Sequence, residues 1–153
     1  MNLDQTDIKL LRLLQENGAL SNKDLSFKIN KSITAVHERV RRLKENGYIK
    51  NVVAILDRQK IGIGLISFSQ VFLVEHNAES LKKFEDSVAQ FGEVMECFQM
   101  SGSYDFLLRV ATRDMEGYHM FLRNKLAVLP NVDKVQTFFV LSEAKFETGY
   151  PIL

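Results

Sequence analysis

Thr34, Ala35, His37, Glu38, Arg41 and Arg42 fall between Ile33, Val36, Val40 and Leu43, whose spacing of three and four marks the apolar side of a helix. The first set therefore forms the opposite, outward face. It carries groups that can reach base edges and phosphates, and the small Thr34 and Ala35 allow close approach to a groove. Ser32 stands at the head of this helix as an N-cap, and Arg39 and Lys44 lie on its flanks. For those two, phosphate contact and an internal salt bridge are equally open readings. The candidate nucleic-acid set is thus Ser32, Thr34, Ala35, His37, Glu38, Arg39, Arg41, Arg42 and Lys44. A solvated amphipathic helix in a small bundle would carry the same pattern.

A second constellation is Gly102-Ser103-Tyr104-Asp105, read as a tight turn at Gly102-Ser103 between strands over 93–101 and 104–112. Most such tips only reverse the chain. This one could do more, because glycine lets backbone N–H groups approach an anion and Asp105 offers a carboxylate to a cation. Together they could hold the two ends of a zwitterionic amino acid.

Other chemistry is not expected. His37, His76 and His119 are scattered, with no cysteine or carboxylate at metal-ligand spacing. Gly62-Ile63-Gly64 lacks a third glycine and a following helix cap, so it reads as a linker and not as a nucleotide loop. Cys97 sits in an alternating strand and is expected to be buried, and Met115 and Met120 are expected to pack within a helix. No Ser/His/Asp or Cys/His order supplies a catalytic set, so neither an enzyme nor a bound cofactor or metal is expected.

The elements that must position these residues are legible in turn. Asp4 caps a helix bearing Ile8, Leu11 and Leu14, which stops near Gly18 as a C′ residue. Ser21-Asn22-Lys23-Asp24 has the shape of a capping box and opens a short helix with Leu25 and Phe27. A turn through Lys28-Ile29-Asn30-Lys31 leads to the third helix, which ends at Asn46-Gly47. Helix, short helix, turn and basic helix is the order of a helix-turn-helix over residues 1–50. Residues 48–56 are rich in β-branched types and read as a connecting strand, with a hinge reaching to residue 64. From 65 to 153 the order is β-α-β-β-α-β. Ile66, Phe68, Phe72 and Val74 alternate in the first strand, Ser80 and Asp114 cap the helices, and 132–141 forms the last strand. That is the ferredoxin-like plan, so the expected fold class is α+β.

Composition agrees. The chain has 153 residues, 46% hydrophobic and 25% charged, a globular balance. Residues 1–50 hold ten Lys/Arg against six Asp/Glu, and residues 51–153 hold ten against thirteen. The basic half is the candidate for phosphate. No apolar run approaches the roughly 20 residues of a membrane span, no secretory signal is read, and a single cysteine suits the cytoplasm.

Two motif sets, in order, carry a resemblance. The first is Leu3-Asp4, Asp7-Ile8, Leu11, Leu25, Ser32, Val36, Arg39-Val40, Arg42-Leu43 and Gly47-Tyr48-Ile49. The second is Ser101-Gly102-Ser103-Tyr104-Asp105-Phe106-Leu107-Leu108, Pro130-Asn131-Val132, Thr137, Val140-Leu141 and Lys145. On these residues the chain resembles the Lrp/AsnC (feast/famine) transcription regulators. The resemblance implies a winged-type helix-turn-helix on double-stranded DNA, and a sheet domain that senses a small effector such as an amino acid. It also implies dimers, often closing into octamers. It places the effector site at the turn after the second strand, giving Met100, Ser101, Gly102, Tyr104 and Asp105 that role, with Thr137 from the last strand. The Phe68–Phe72 segment is then a candidate surface between subunits, with ordinary core as the alternative.

Overall fold

The computed structural model describes residues 2–152, which divide into two compact units. Among the described residues, one comprises 2–55 together with 145–152, and the other 56–144.

The first unit holds three helices, α1 (Gln5–Glu16), α2 (Asn22–Ile29) and α3 (Ile33–Glu45). Local chemistry defines each start. Asp4 accepts the N–H groups of Thr6 and Asp7, while Asp7 reaches back to the Asp4 N–H. Ser21 and Asp24 form the same reciprocal box at α2, and Ser32 accepts the Ala35 N–H at α3. The turn between α2 and α3 passes through Asn30 at φ 54°, a left-handed position that asparagine tolerates. Leu10, Leu11, Leu25, Val36, Val40 and Leu43 form the core. Ile33, expected on the inner face of α3, is instead half exposed, and Phe27 of α2 is exposed as well. Gly18 is not a left-handed terminator either: Asn17 ends α1 in an extended conformation. What glycine permits at 18 is close approach, since a Cβ there would lie 2.8 Å from Val52 Cγ1.

Residues 49–57 form no ladder among the described residues, so the connecting strand expected over 48–56 is not seen in the single chain. A strand needs a neighbour for its N–H and C=O groups, and none is supplied. Residues 145–152, part of a tail grouped with the second domain on sequence, pack with the helices instead. Gln15 donates to the Tyr150 carbonyl and accepts its N–H (3.0 and 2.8 Å). Arg12 donates to the Ile152 carbonyl (2.8 Å), and Ile152 packs against the helical core.

The second unit is an antiparallel sheet in the order β2-β3-β1-β4, from β1 (Leu65–Leu73), β2 (Val94–Gln99), β3 (Phe106–Thr112) and β4 (Val132–Phe139). Helices α4 (Ala78–Val88) and α5 (Met115–Phe121) supply Phe84, Val88, Tyr118 and Phe121 to its core, and a π-helical turn over Leu122–Leu126 adds Leu126. Asn77, not Ser80, caps α4, whereas Asp114 caps α5 as expected. Met115 and Met120 are exposed on α5, since Tyr118 and Phe121 occupy its inner side. Gly64 is more than a linker: its N–H donates to the Arg113 carbonyl, and a Cβ there would sit 2.6 Å from that oxygen.

The faces of β1 divide unexpectedly. Ser67, Ser69, Val71 and Leu73 are buried toward the helices, and Ser69 bonds Tyr118 at 3.0 Å. Ile66, Phe68 and Phe72 therefore lie on the opposite, helix-free face. Cross-strand register puts Phe138 and Arg109 beside Phe68, Leu107 beside Gln70, and Phe98 beside Leu107 on that same face. Cys97, expected buried, is exposed because β2 is an edge strand. Partial burial nevertheless pushes its thiol up to about 11, helped by Glu85, so the thiolate is scarce.

Candidate nucleic-acid interface and effector loop

α3 presents Thr34, Ala35, His37 and Glu38 to solvent from its first turns, with Arg41 and Arg42 partly exposed beyond them. Thr34, His37, Glu38 and Arg41 follow at intervals of three, one and three, one continuous stripe along the helix. Arg41 is held within this stripe by Glu38 on one side and by Glu45 at 2.7 Å on the other. These pairs hold the Glu38 carboxyl below its usual range and raise the Arg41 guanidinium, first through Glu38 and then Glu45. Such exposed pairs are weak and exchange readily for phosphate.

The structure separates the other candidates. Ser32 caps α3 by accepting the Ala35 N–H with its hydroxyl oxygen, and its own O–H stays on the exposed surface. Arg39 binds Asp4 at 2.6 Å and the buried Asp7 at 2.8 Å, forming the internal salt bridge that is one of its two readings. Asp7 and then Asp4 hold its guanidinium protonated, while Asp4 is kept acidic chiefly by the Asp7 N–H and next by Arg39. Arg42 approaches Asp7 only to 3.9 Å and stays half exposed. Lys44 lines a groove of about 390 Å³ with Leu20, Leu25, Val40, Ile49 and Val52. Thr34, Ala35, His37, Glu38, Arg41 and Arg42 stand together on the exposed surface of α3, with Lys44 exposed further along it and Ser32 exposed at its head.

Residues 100–105 connect β2 to β3, a longer turn than the tight reversal expected at Gly102-Ser103. The reason lies in Asp105. Its N–H donates to the Val71 carbonyl and its Oδ2 accepts the Leu73 N–H at 2.8 Å, drawing the chain toward β1. The Met100 N–H closes the loop onto the Asp105 carbonyl (2.8 Å). Asp105 Oδ1 lies 2.8 Å from His76 Nδ1, so both carboxylate oxygens already have partners. Met100, Ser101 and Gly102 are exposed, Gly102 with φ 133°, and the Tyr104 ring meets the edge of Phe72. Thr137 is not brought to this loop. Its hydroxyl is bound beneath the sheet to Ser69 at 3.1 Å and to Tyr118.

Two residues outside the expected set complete the frame. His76, discounted as a metal ligand, is the partner of Asp105. Asn131, at φ 74°, accepts the Glu75 N–H (2.6 Å) and donates to the Glu75 carbonyl (2.9 Å), fixing the segment that carries His76. Asn131 stands directly after a proline and before a strand, a turn signal whose partner cannot be read from spacing. Among the described residues no group of three or more His, Cys, Asp or Glu could hold a metal, and no helix is long and apolar enough to cross a membrane.

Comparison with known proteins bears on both units. Residues 3–50 match the winged helix-turn-helix DNA-binding model, and residues 66–150 match the Lrp/AsnC ligand binding domain. The chain is 36% identical over 150 residues to the Bkd operon transcriptional regulator of Pseudomonas aeruginosa, covering 98% of each. It is 35% identical over 151 residues to the leucine-responsive regulatory protein of Haemophilus influenzae, covering 99% of this chain and 90% of that one. A transcriptional regulator of Neisseria meningitidis, solved as a complex with L-methionine, superposes with a TM-score of 0.93 at 33% identity, covering 98% of this chain and 97% of that one. With both halves matched in order along nearly the whole length, the chain belongs to the Lrp/AsnC family of transcription regulators.

Proposed function

We propose that this regulator reads DNA with the Thr34–Arg41 stripe of α3, works as a dimer through the helix-free sheet face, and responds to an amino acid bound at the 100–105 loop. The observation that carries the DNA half is the division of labour among the arginines. Arg39 anchors α3 to α1 through Asp4 and Asp7, leaving Arg41 and Arg42 outward on a rigid helix. Phosphate contacts from those two residues position the helix, and His37, Thr34 and Glu38 face base edges. The chain acts by binding and not by catalysis.

Arg41→Ala with Arg42→Ala is expected to lower duplex affinity about ten- to a hundred-fold at moderate salt. The slope of log K against log salt should fall by roughly two. Mobility shift across a salt series measures both, and an unchanged slope removes these residues from the interface.

The effector half rests on the loop's construction. Gly102 leaves backbone open for a carboxylate, while Asp105 and Asn131 hold the loop and its neighbouring segment in shape. An amino-acid ammonium meeting Asp105 Oδ1 takes the place that His76 occupies in the free chain. The L-methionine complex of the Neisseria relative supports the ligand class. In a thermal-shift panel of the twenty amino acids, a native-state ligand at about a hundred times its Kd stabilises by about 2.7 kcal/mol, a shift of several degrees. A flat panel overturns the amino-acid reading and leaves the DNA reading intact.

A further inference from the structure

We infer that Asn22 is a positioning residue that sets the tautomer of His37, so that the exposed stripe of α3 offers a hydrogen-bond donor at that point and not an acceptor. The inference rests on α3 as the groove-facing helix.

Asn22 is the first residue of α2, and its backbone is fixed by the Ser21–Asp24 box on either side of it. Ser21 performs the capping, so the Asn22 side chain is free of that duty. It lies half buried, and its amide nitrogen is 3.1 Å from His37 Nδ1. An amide NH2 group only donates, so Nδ1 must accept. In a neutral imidazole the proton then sits on Nε2. His37 is exposed on α3 between Thr34 and Arg41, so its free Nε2–H belongs to the outward stripe.

The consequence for recognition is specific. A fixed N–H donor is matched by guanine N7 or O6, adenine N7 or thymine O4, and is mismatched by the cytosine amino group. A free histidine could present either nitrogen lone pair or proton and would discriminate less. Asn22 is thus expected to matter for base preference without touching DNA.

The test separates the tautomer from the DNA reading. The full chain, labelled with 15N at histidine, is examined by long-range 1H–15N correlation at about pH 8.5, above the ordinary imidazole range of about 6.5. The expected result is Nε2–H for His37 in the native protein, a mixture in Asn22→Ala, and Nδ1–H in Asn22→Asp, whose carboxylate only accepts. Native Nδ1–H, or a tautomer indifferent to Asn22→Ala, overturns the inference. Selection from a randomised duplex library then reads the consequence. The native chain should disfavour cytosine at one position of each half-site, and Asn22→Ala should lose about ten-fold of that discrimination, the scale of one base contact. Unchanged discrimination in Asn22→Ala overturns the role in specificity. Failure of the native chain to select any sequence is instead a failure of the α3 reading, visible with the NMR result intact. Circular dichroism of both variants checks that α2 and α3 remain folded.

Discussion

Arg39→Ala is expected to destabilise the helical unit by about 3 kcal/mol, and to weaken DNA binding through that loss and not through a missing phosphate contact. Asp7 is 1% exposed and lies between α1 and α3. Its Oδ2 accepts the Asp4 N–H and its Oδ1 accepts from Arg39, so removing the guanidinium leaves a buried carboxylate half satisfied. That cost exceeds anything the exposed Arg39–Asp4 contact contributes by itself. Urea unfolding of the full chain should show the drop in midpoint for the first unit, while the salt slope of residual DNA binding stays unchanged. Asp7→Asn in the Arg39→Ala background should restore roughly half of the stability, since a neutral amide still accepts the Asp4 N–H without a stranded charge. An unchanged urea midpoint together with a salt slope lowered by about one would return Arg39 to the phosphate-binding set.

This arginine also marks how far the sequence could be read. Helical spacing placed Arg39 on a flank of α3, but its partner lies 32 residues upstream on another helix, and spacing carries no such distance information. Caps behaved differently. Asp4, Ser21, Ser32 and Asp114 act on N–H groups two or three residues away, so local sequence contains the whole interaction and each reads correctly. The strand–helix order of the second unit was legible for the same reason, since alternation and amphipathic spacing are local. Alternation alone does not say which face of a strand the helices will cover. In β1 they cover Ser67 and Ser69, and for Ser69 Tyr118 on α5 brings a hydroxyl that it and Thr137 can bond. The phenylalanines are left outside. At the effector loop, glycine and aspartate were visible as chemistry. That Asp105 is already bound to Leu73 and His76 depends on the β1–β3 register, which no turn motif encodes.

The open face of the sheet leads to the second large effect. Phe68→Asp is expected to convert the protein from dimer to monomer at about 10 µM and to reduce affinity for a two-half-site duplex by about a hundred-fold or more. Phe68 sits on the inner strand β1 of the four-stranded order, flanked in register by Phe138 and Arg109. Phe98 and Phe138 are about half exposed on the same face (47% and 49%), and Leu107 and Ile66 extend it. Aromatic and aliphatic side chains in one plane suit the core of a two-fold interface, with the Arg109–Glu96 pair and Lys134 over Phe72 supplying charge among them. In such an interface a single aspartate appears twice, each copy desolvated without a designated partner, which costs several kcal/mol in all. The DNA consequence follows because one short recognition helix covers one half-site, and joining two heads makes the second binding event intramolecular. Light scattering after size exclusion gives the oligomeric state, and mobility shift on paired and single half-sites gives the affinity. Phe68→Leu, which keeps the face apolar, should remain dimeric. Binding of the monomer to a single half-site should match that of the native head. Loss of single-site binding would point to misfolding, whereas a Phe68→Asp protein that stays dimeric with native helicity would place the subunit contact elsewhere on the molecule.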